Sequence, residues 1–138
     1  MRIRVGTSGF AYKEWKGTFY PEKFKDEGML AYYAQRFEAV EINNTFYRMP
    51  KPELLEKWAV DTPEHFAFVL KAPQRITHIK KLEDCAEDVE YFLKSAQSLG
   101  KKRGPILFQL PPWMKKDLDK LGRFLALLPE GTRPAFEF

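Results

Sequence analysis

A chain of 138 residues is sized for one domain and is long enough to bury a core. Its 23 Lys and Arg against 19 Asp and Glu leave a formal charge of +4, too small a surplus to demand a polyanionic partner. A single cysteine excludes an intrachain disulfide, no apolar run approaches the ~20 residues of a membrane span, and the opening Met1-Arg2-Ile3-Arg4-Val5-Gly6 has no apolar signal region, so a cytoplasmic setting away from membranes is expected.

Ile3 to Thr7 reads as a short first strand, broken by Gly6 and Gly9. Phe10 to Phe24 carries Tyr12, Trp15, Phe19 and Tyr20 among Gly17 and Pro21, which deny it a regular helix and predict a long aromatic loop. Its rings either pack down on the scaffold or meet a ligand. After Gly28, Met29, Leu30, Tyr33, Ala34 and Phe37 recur at helical spacing. The second strand follows from Ala39, with Val40 and Ile42 on one face and Glu41 and Asn43 on the other. Pro52 suits the first turn of a helix whose buried side is expected to be Leu54, Leu55 and Trp58.

His65 to Ala72 predicts a third strand, with Phe66, Phe68 and Leu70 opposite Ala67, Val69 and Lys71. A polar loop from Gln74 to Lys81 holds Thr77 and His78. Asp84, with Glu87 three residues on, is the expected cap of the next helix. Cys85, Val89, Phe92, Leu93, Ala96 and Leu99 form its apolar stripe, and Gly100 ends it. Pro105 to Leu110 is the fourth strand, with Leu107 and Gln109 opposite Ile106, Phe108 and Leu110, closed by Pro111-Pro112-Trp113. Leu118, Leu121, Leu125 and Leu128 mark a helix over Asp117 to Leu128, and Arg133 to Phe138 begins a fifth strand with Ala135 and Glu137 opposite Phe136 and Phe138.

Strand and helix alternate, which implies parallel pairing through right-handed crossovers. Gly6-Thr7-Ser8-Gly9 has the spacing of neither common nucleotide loop. One strand face is bulky, and the other is smaller and polar toward the C-terminal ends. That contrast suits a TIM-type (β/α) barrel, whose mouth is the active face, better than an open doubly wound sheet. About five parallel strands and four main helices are expected here, against eight of each in about 250 residues for such a barrel. An incomplete barrel is therefore predicted, residues 1–138 being the N-terminal part of a single domain that stops after strand five. Its first and fifth strands would be open edges, so the isolated chain is expected to self-associate or to lack its C-terminal half.

On this reading Glu41, Asn43, Lys71, Gln109 and Glu137 share the inner face. The blander alternative is a buried Glu41–Lys71 ion pair that only fills the lumen. Such pairs return little stability, and a barrel kept for stability would favour Val, Ile or Leu there. Glu41, Lys71 and Glu137 are the candidate catalytic residues. Two carboxylates can act as acid and base or as metal ligands, and Lys71 can stabilise an oxyanion or form a Schiff base. Ser8, Tyr12, Trp15, Asn43, Thr45, Tyr47, His78, Gln109 and Trp113 are the candidate substrate-binding residues at the same end. Two histidines argue against a His-rich zinc site, while a carboxylate-bound Mg or Mn ion stays open as cofactor. The rival class is binding without catalysis: Lys71, Arg75, Lys80, Lys81, Lys115 and Lys116 beside Tyr12, Trp15, Tyr47 and Trp113 would serve a single-stranded nucleic acid or a sugar phosphate. The alternative for those cations is a solvated face.

Six motifs stand in a telling order: Gly6-Thr7-Ser8-Gly9-Phe10; Trp15-Lys16-Gly17 with Phe19-Tyr20-Pro21; Glu41-Ile42-Asn43-Asn44-Thr45-Phe46-Tyr47; Lys71-Ala72-Pro73 with Thr77-His78; Gly104 through Pro112; and Phe136-Glu137. Across nearly the whole chain they resemble the YecE-like family, a domain of unknown function (number 72). The resemblance implies a TIM-type barrel with these motifs around its mouth, and no particular reaction. In that family Ser usually stands at Asn44 and Trp at Phe10, and the chain runs on past Phe-Glu into an Arg and three more strands. The expectation is an enzyme acting on a polar or anionic small molecule, by hydrolytic or phosphoester chemistry, at the C-terminal mouth of the barrel.

Overall fold

The computed structural model of the chain describes residues 3–48 and 50–138; the Met1-Arg2 opening lies outside them. Strands β1 (Gly6–Ser8), β2 (Ala39–Ile42), β3 (Ala67–Lys71), β4 (Arg103–Gln109) and β5 (Pro134–Glu137) form one sheet in sequence order, every pair parallel. Between them run α1 (Met29–Ala34), the single turn α2 (Asn44–Tyr47), α3 (Pro52–Val60), α4 (Ala86–Ala96) and α5 (Leu118–Ala126). Crossovers that never reverse direction lay successive helices on the same face of the sheet. A doubly wound sheet would instead reverse its strand order at a switch point. The fold is thus a stretch of (β/α)-barrel wall, open between β1 and β5.

The helix-covered face holds the core. Val40, Ile42, Phe68, Leu70, Ile106 and Phe108 are buried there with Leu30, Tyr33, Leu55, Val89, Phe92 and Phe124 from the helices. The intervening Glu41, Val69, Lys71, Leu107 and Gln109 are only half-buried on the opposite face. Period-two alternation thus sorts the strands as expected.

Several boundaries and faces differ from the sequence expectation, each for a local reason. The first strand is Gly6–Ser8 rather than Ile3–Thr7, and Ile3 and Val5 are 72% and 64% exposed. Gly6 is needed because β2 comes very close: a Cβ there would lie 1.9 Å from Ala39 O. The Tyr33 hydroxyl stitches the same place, accepting from Thr7 N at 2.7 Å and donating to Ala39 O at 3.0 Å. In α3, Pro52 sits in the first turn and Leu55 is buried, but Leu54 lies off the stripe and is 44% exposed. Asp84 does not cap α4. Its φ of 44° takes it into the left-handed region, and Cys85 precedes the helix without a side-chain cap. Asp117 does cap α5, accepting from Lys120 N at 2.9 Å. The residue α5 buries is Phe124, whose ring lies 5.1 Å from Phe108 and 6.2 Å from Phe136. Leu118 and Leu125 consequently remain 66% and 42% exposed.

The β3–β4 ladder shifts register between Phe68 and Leu70, opposite Pro105, which has no N–H to contribute. The aromatic loop contains a short 3-10 turn, Lys13–Trp15, and largely packs down. Tyr20 is 1% exposed, and Trp15 and Phe19 lie against the core. Burial, then Tyr33, pushes the Tyr20 hydroxyl up to about 12, so it stays a donor to Phe10 O at 2.5 Å. Among the described residues no helix is long and apolar enough to cross a membrane.

Two glycine substitutions separate close approach from conformational entropy. Gly6→Ala should lower the urea-unfolding free energy by at least about 1 kcal/mol, because the new methyl must push β1 from β2. Gly122→Ala, inside α5 with open space around it, should raise the same quantity by about 0.5–1 kcal/mol.

Candidate active site

Strand register assembles the polar face in two wings around a centre. Ser8 lies opposite Glu41, and its Oγ donates to Glu41 Oε1 at 3.0 Å. Asn43 Nδ2 donates in turn to Ser8 Oγ, and the Tyr12 hydroxyl donates to Ser8 O. On the far wing Gln109 lies opposite Glu137, and its Nε2 donates to Glu137 Oε1 at 2.8 Å. Each carboxylate is thus held by a neutral partner on the neighbouring strand. A carboxylate held this way has lone pairs to spare.

Lys71 occupies the centre, from the end of β3. Among the described residues no carboxylate makes an ion pair with it, so a Glu41–Lys71 pair filling the lumen is not what the face contains. Its ammonium stands 4.8 Å from the centroid of the Phe46 ring, a cation–π contact that leaves most of its charge uncompensated. His78 packs edge-on against Phe46 at 5.0 Å and lies 6.4 Å from Trp113. Its Nδ1 is 2.9 Å from Thr77 Oγ1. Burial, and then the charge of Lys71, hold the His78 pKa below its ordinary value. The imidazole is therefore neutral at pH 7.

Other candidates settle differently. Thr45 is 3% exposed, and its hydroxyl lies 2.9 Å from Ile42 O and 2.6 Å from Lys71 O. It ties α2 to the ends of β2 and β3 and offers nothing to a ligand. Trp15 packs on Tyr12, Phe19 and Tyr20 and belongs to the scaffold of the aromatic loop. Tyr47 and Trp113 are 74% and 68% exposed at the rim. Two of the cations that suggested a basic patch share one carboxylate. Arg75 Nε meets Asp88 Oδ1 at 2.7 Å and Lys80 Nζ meets Asp88 Oδ2 at 2.8 Å.

That Asp88 clip was not legible in the sequence. It fastens a π-helical turn, Arg75–Ile79, to the first turn of α4. The turn replaces the expected plain loop, buries Ile76 and Thr77, and sets His78 toward Phe46 and Trp113. Phe46 was also missed as a site residue, although it sits in the Glu41–Tyr47 motif beside Tyr47. Among the described residues no three His, Cys, Asp or Glu side chains gather as a metal's ligand set would.

Residues 4–138 match the family described as protein of unknown function DUF72. The chain belongs to the DUF72 family. It is 37% identical over 101 residues to the UPF0759 protein YecE of Escherichia coli (strain K12), covering 72% of this chain and 37% of that protein. It is 31% identical over 117 residues to the UPF0759 protein YunF of Bacillus subtilis (strain 168), covering 80% of this chain and 40% of that one. The fold superposes on the crystal structure of a DUF72 family protein from Thermotoga maritima MSB8 with a TM-score of 0.81 and 32% identity, over 96% of this chain and 55% of that chain. This DUF72 chain therefore spans well under half the length of the curated relatives it matches.

Two measurements check the centre of the site. For Asp88, burial alone would raise the pKa, but the contacts with Lys80 and Arg75 outweigh it and hold the carboxyl below its usual range. A carboxyl depressed in the folded state contributes stability above its unfolded pKa and loses it as pH falls through the folded one. Asp88→Asn should therefore cost about 1–2 kcal/mol at pH 7 and progressively less below about pH 4. A cost that is constant with pH would contradict the charged clip. Second, Lys71→Met should move the NMR-titrated pKa of His78 upward, because one cause of its depression is removed; an unchanged value would separate the two groups.

Proposed function

We propose that this face is the catalytic face of an enzyme acting on a small, polar, anionic substrate at the C-terminal ends of the strands, by hydrolytic or phosphoester chemistry. The observation that carries the reading is Lys71: among the described residues it has no ion-pair partner, and it lies between two carboxylates that neutral groups already hold. In a half-buried setting such a charge attracts an anionic group and stabilises negative charge that grows during reaction. Glu41, held by Ser8, and Glu137, held by Gln109, then serve as general base and acid on either side. Neutral His78 can move a proton on the face that Lys71 commands. A Mg or Mn ion fits if it is shared between one carboxylate and the substrate's own phosphate, since magnesium commonly takes only one or two protein carboxylates.

Binding without catalysis is the second reading, favoured by the exposure of Tyr47 and Trp113. A cytoplasmic setting accords with the single cysteine, Cys85, which is buried and unpaired. The test is turnover on a panel of phosphomonoesters, phosphodiesters and carboxylate esters. Glu41→Gln should lower turnover at least about 100-fold while leaving the melting temperature nearly unchanged. Full turnover in both Glu41→Gln and Glu137→Gln would overturn the assignment.

A further inference from the structure

Resting on that reading of the site, we infer that its ligand is a nucleotide unit, with its phosphate at Lys71 and its base on Trp113. The argument is one of a cation and an exposed flat ring joined by one chain of contacts. Lys71 Nζ lies 4.8 Å from Phe46, Phe46 5.0 Å from His78, and His78 6.4 Å from Trp113. A bare anion held by Lys71 would leave Trp113 unused. A simple sugar phosphate has no flat base to lay on that ring. A nucleotide carries both a phosphate for the cation and a base for the exposed ring.

Trp113 is suited to stacking. It is 68% exposed, and its ring contact with His78 is close to perpendicular, at 81°, so His78 does not cover its face. Stacking of a base on such a ring recurs in recognition of single strands and tolerates different bases. His78, perpendicular to Phe46 at 89°, contacts both Phe46 and Trp113. Being neutral, it adds no second charge there, so phosphate selection falls to Lys71. Tyr47, 74% exposed and 5.1 Å from Phe46, extends the aromatic surface on the other side.

The experiment is calorimetric titration of the protein at low salt with inorganic phosphate, adenosine, adenosine monophosphate and a ten-residue oligodeoxyadenylate. The monophosphate should bind at least about tenfold tighter than either half. Trp113→Ala should lose about tenfold for the monophosphate and adenosine but not for phosphate, and Trp113→Phe should recover most of it. Lys71→Met should lose about tenfold for the monophosphate and phosphate but not for adenosine. An oligonucleotide that binds tighter than the monophosphate, with a steeper salt dependence, makes a strand the source of the unit; equal binding makes it the free nucleotide. Phosphate binding that depends on Lys71, with no gain for the monophosphate and no effect of Trp113→Ala, would overturn the nucleotide and leave the anion site standing. Absence of any Lys71-dependent binding would overturn the anion site itself.

Discussion

A side chain on a strand has two faces to choose between, and in this chain helices cover only one of them. Parallel pairing in sequence order from β1 to β5 sends every crossover the same way, so α1, α3, α4 and α5 stack on a common side. Val40, Phe68, Leu70, Ile106 and Phe108 meet them there. The residues between, Glu41, Lys71 and Gln109, are only half-buried and are left together on the opposite face. The same register that makes the core therefore makes the site. A slip of one residue in any strand would exchange the two sets.

Electrostatics then decides what the face is ready for. Had Lys71 paired with Glu41, the charges would have satisfied one another. Instead Ser8 and Asn43 form a chain of hydrogen bonds ending on Glu41, Gln109 occupies Glu137, and Lys71 faces an aromatic ring. The Asp88 clip works in the same direction, removing Arg75 and Lys80 from the pool of free cations. Lys71 is then the cation that stands on the inner face itself, while Lys81, Lys115 and Lys116 are exposed. The T. maritima relative, of which this chain covers 55%, shows that the same wall occurs within a longer chain of the family.

The parity of the strands was legible because period two is short and each polar residue interrupts an apolar run: Glu41 between Val40 and Ile42, Gln109 between Phe108 and Leu110. Helix faces were less legible. Over Asp117 to Leu128 four leucines at helical spacing outvoted Phe124, but the space between Phe108 and Phe136 takes an aromatic ring, and tertiary fit chose the face. Asp84 carried a good capping pattern that a left-handed backbone cancelled. Thr45 looked like a ligand contact and proved to be a stitch between carbonyls, since a hydroxyl's partners depend on the fold around it. The π-helical turn that presents His78 depends on Asp88, ten residues away, through contacts that no local spacing encodes.

The central claim, that Lys71 is held uncompensated for an anionic ligand, is tested most directly by a crystal of the protein soaked in tungstate. The account predicts an anomalous peak within hydrogen-bonding distance of Lys71 Nζ, on the side facing His78, that Lys71→Met abolishes. A Lys71 ammonium closed onto Glu41 or Glu137, with no anion beside it, would contradict the account.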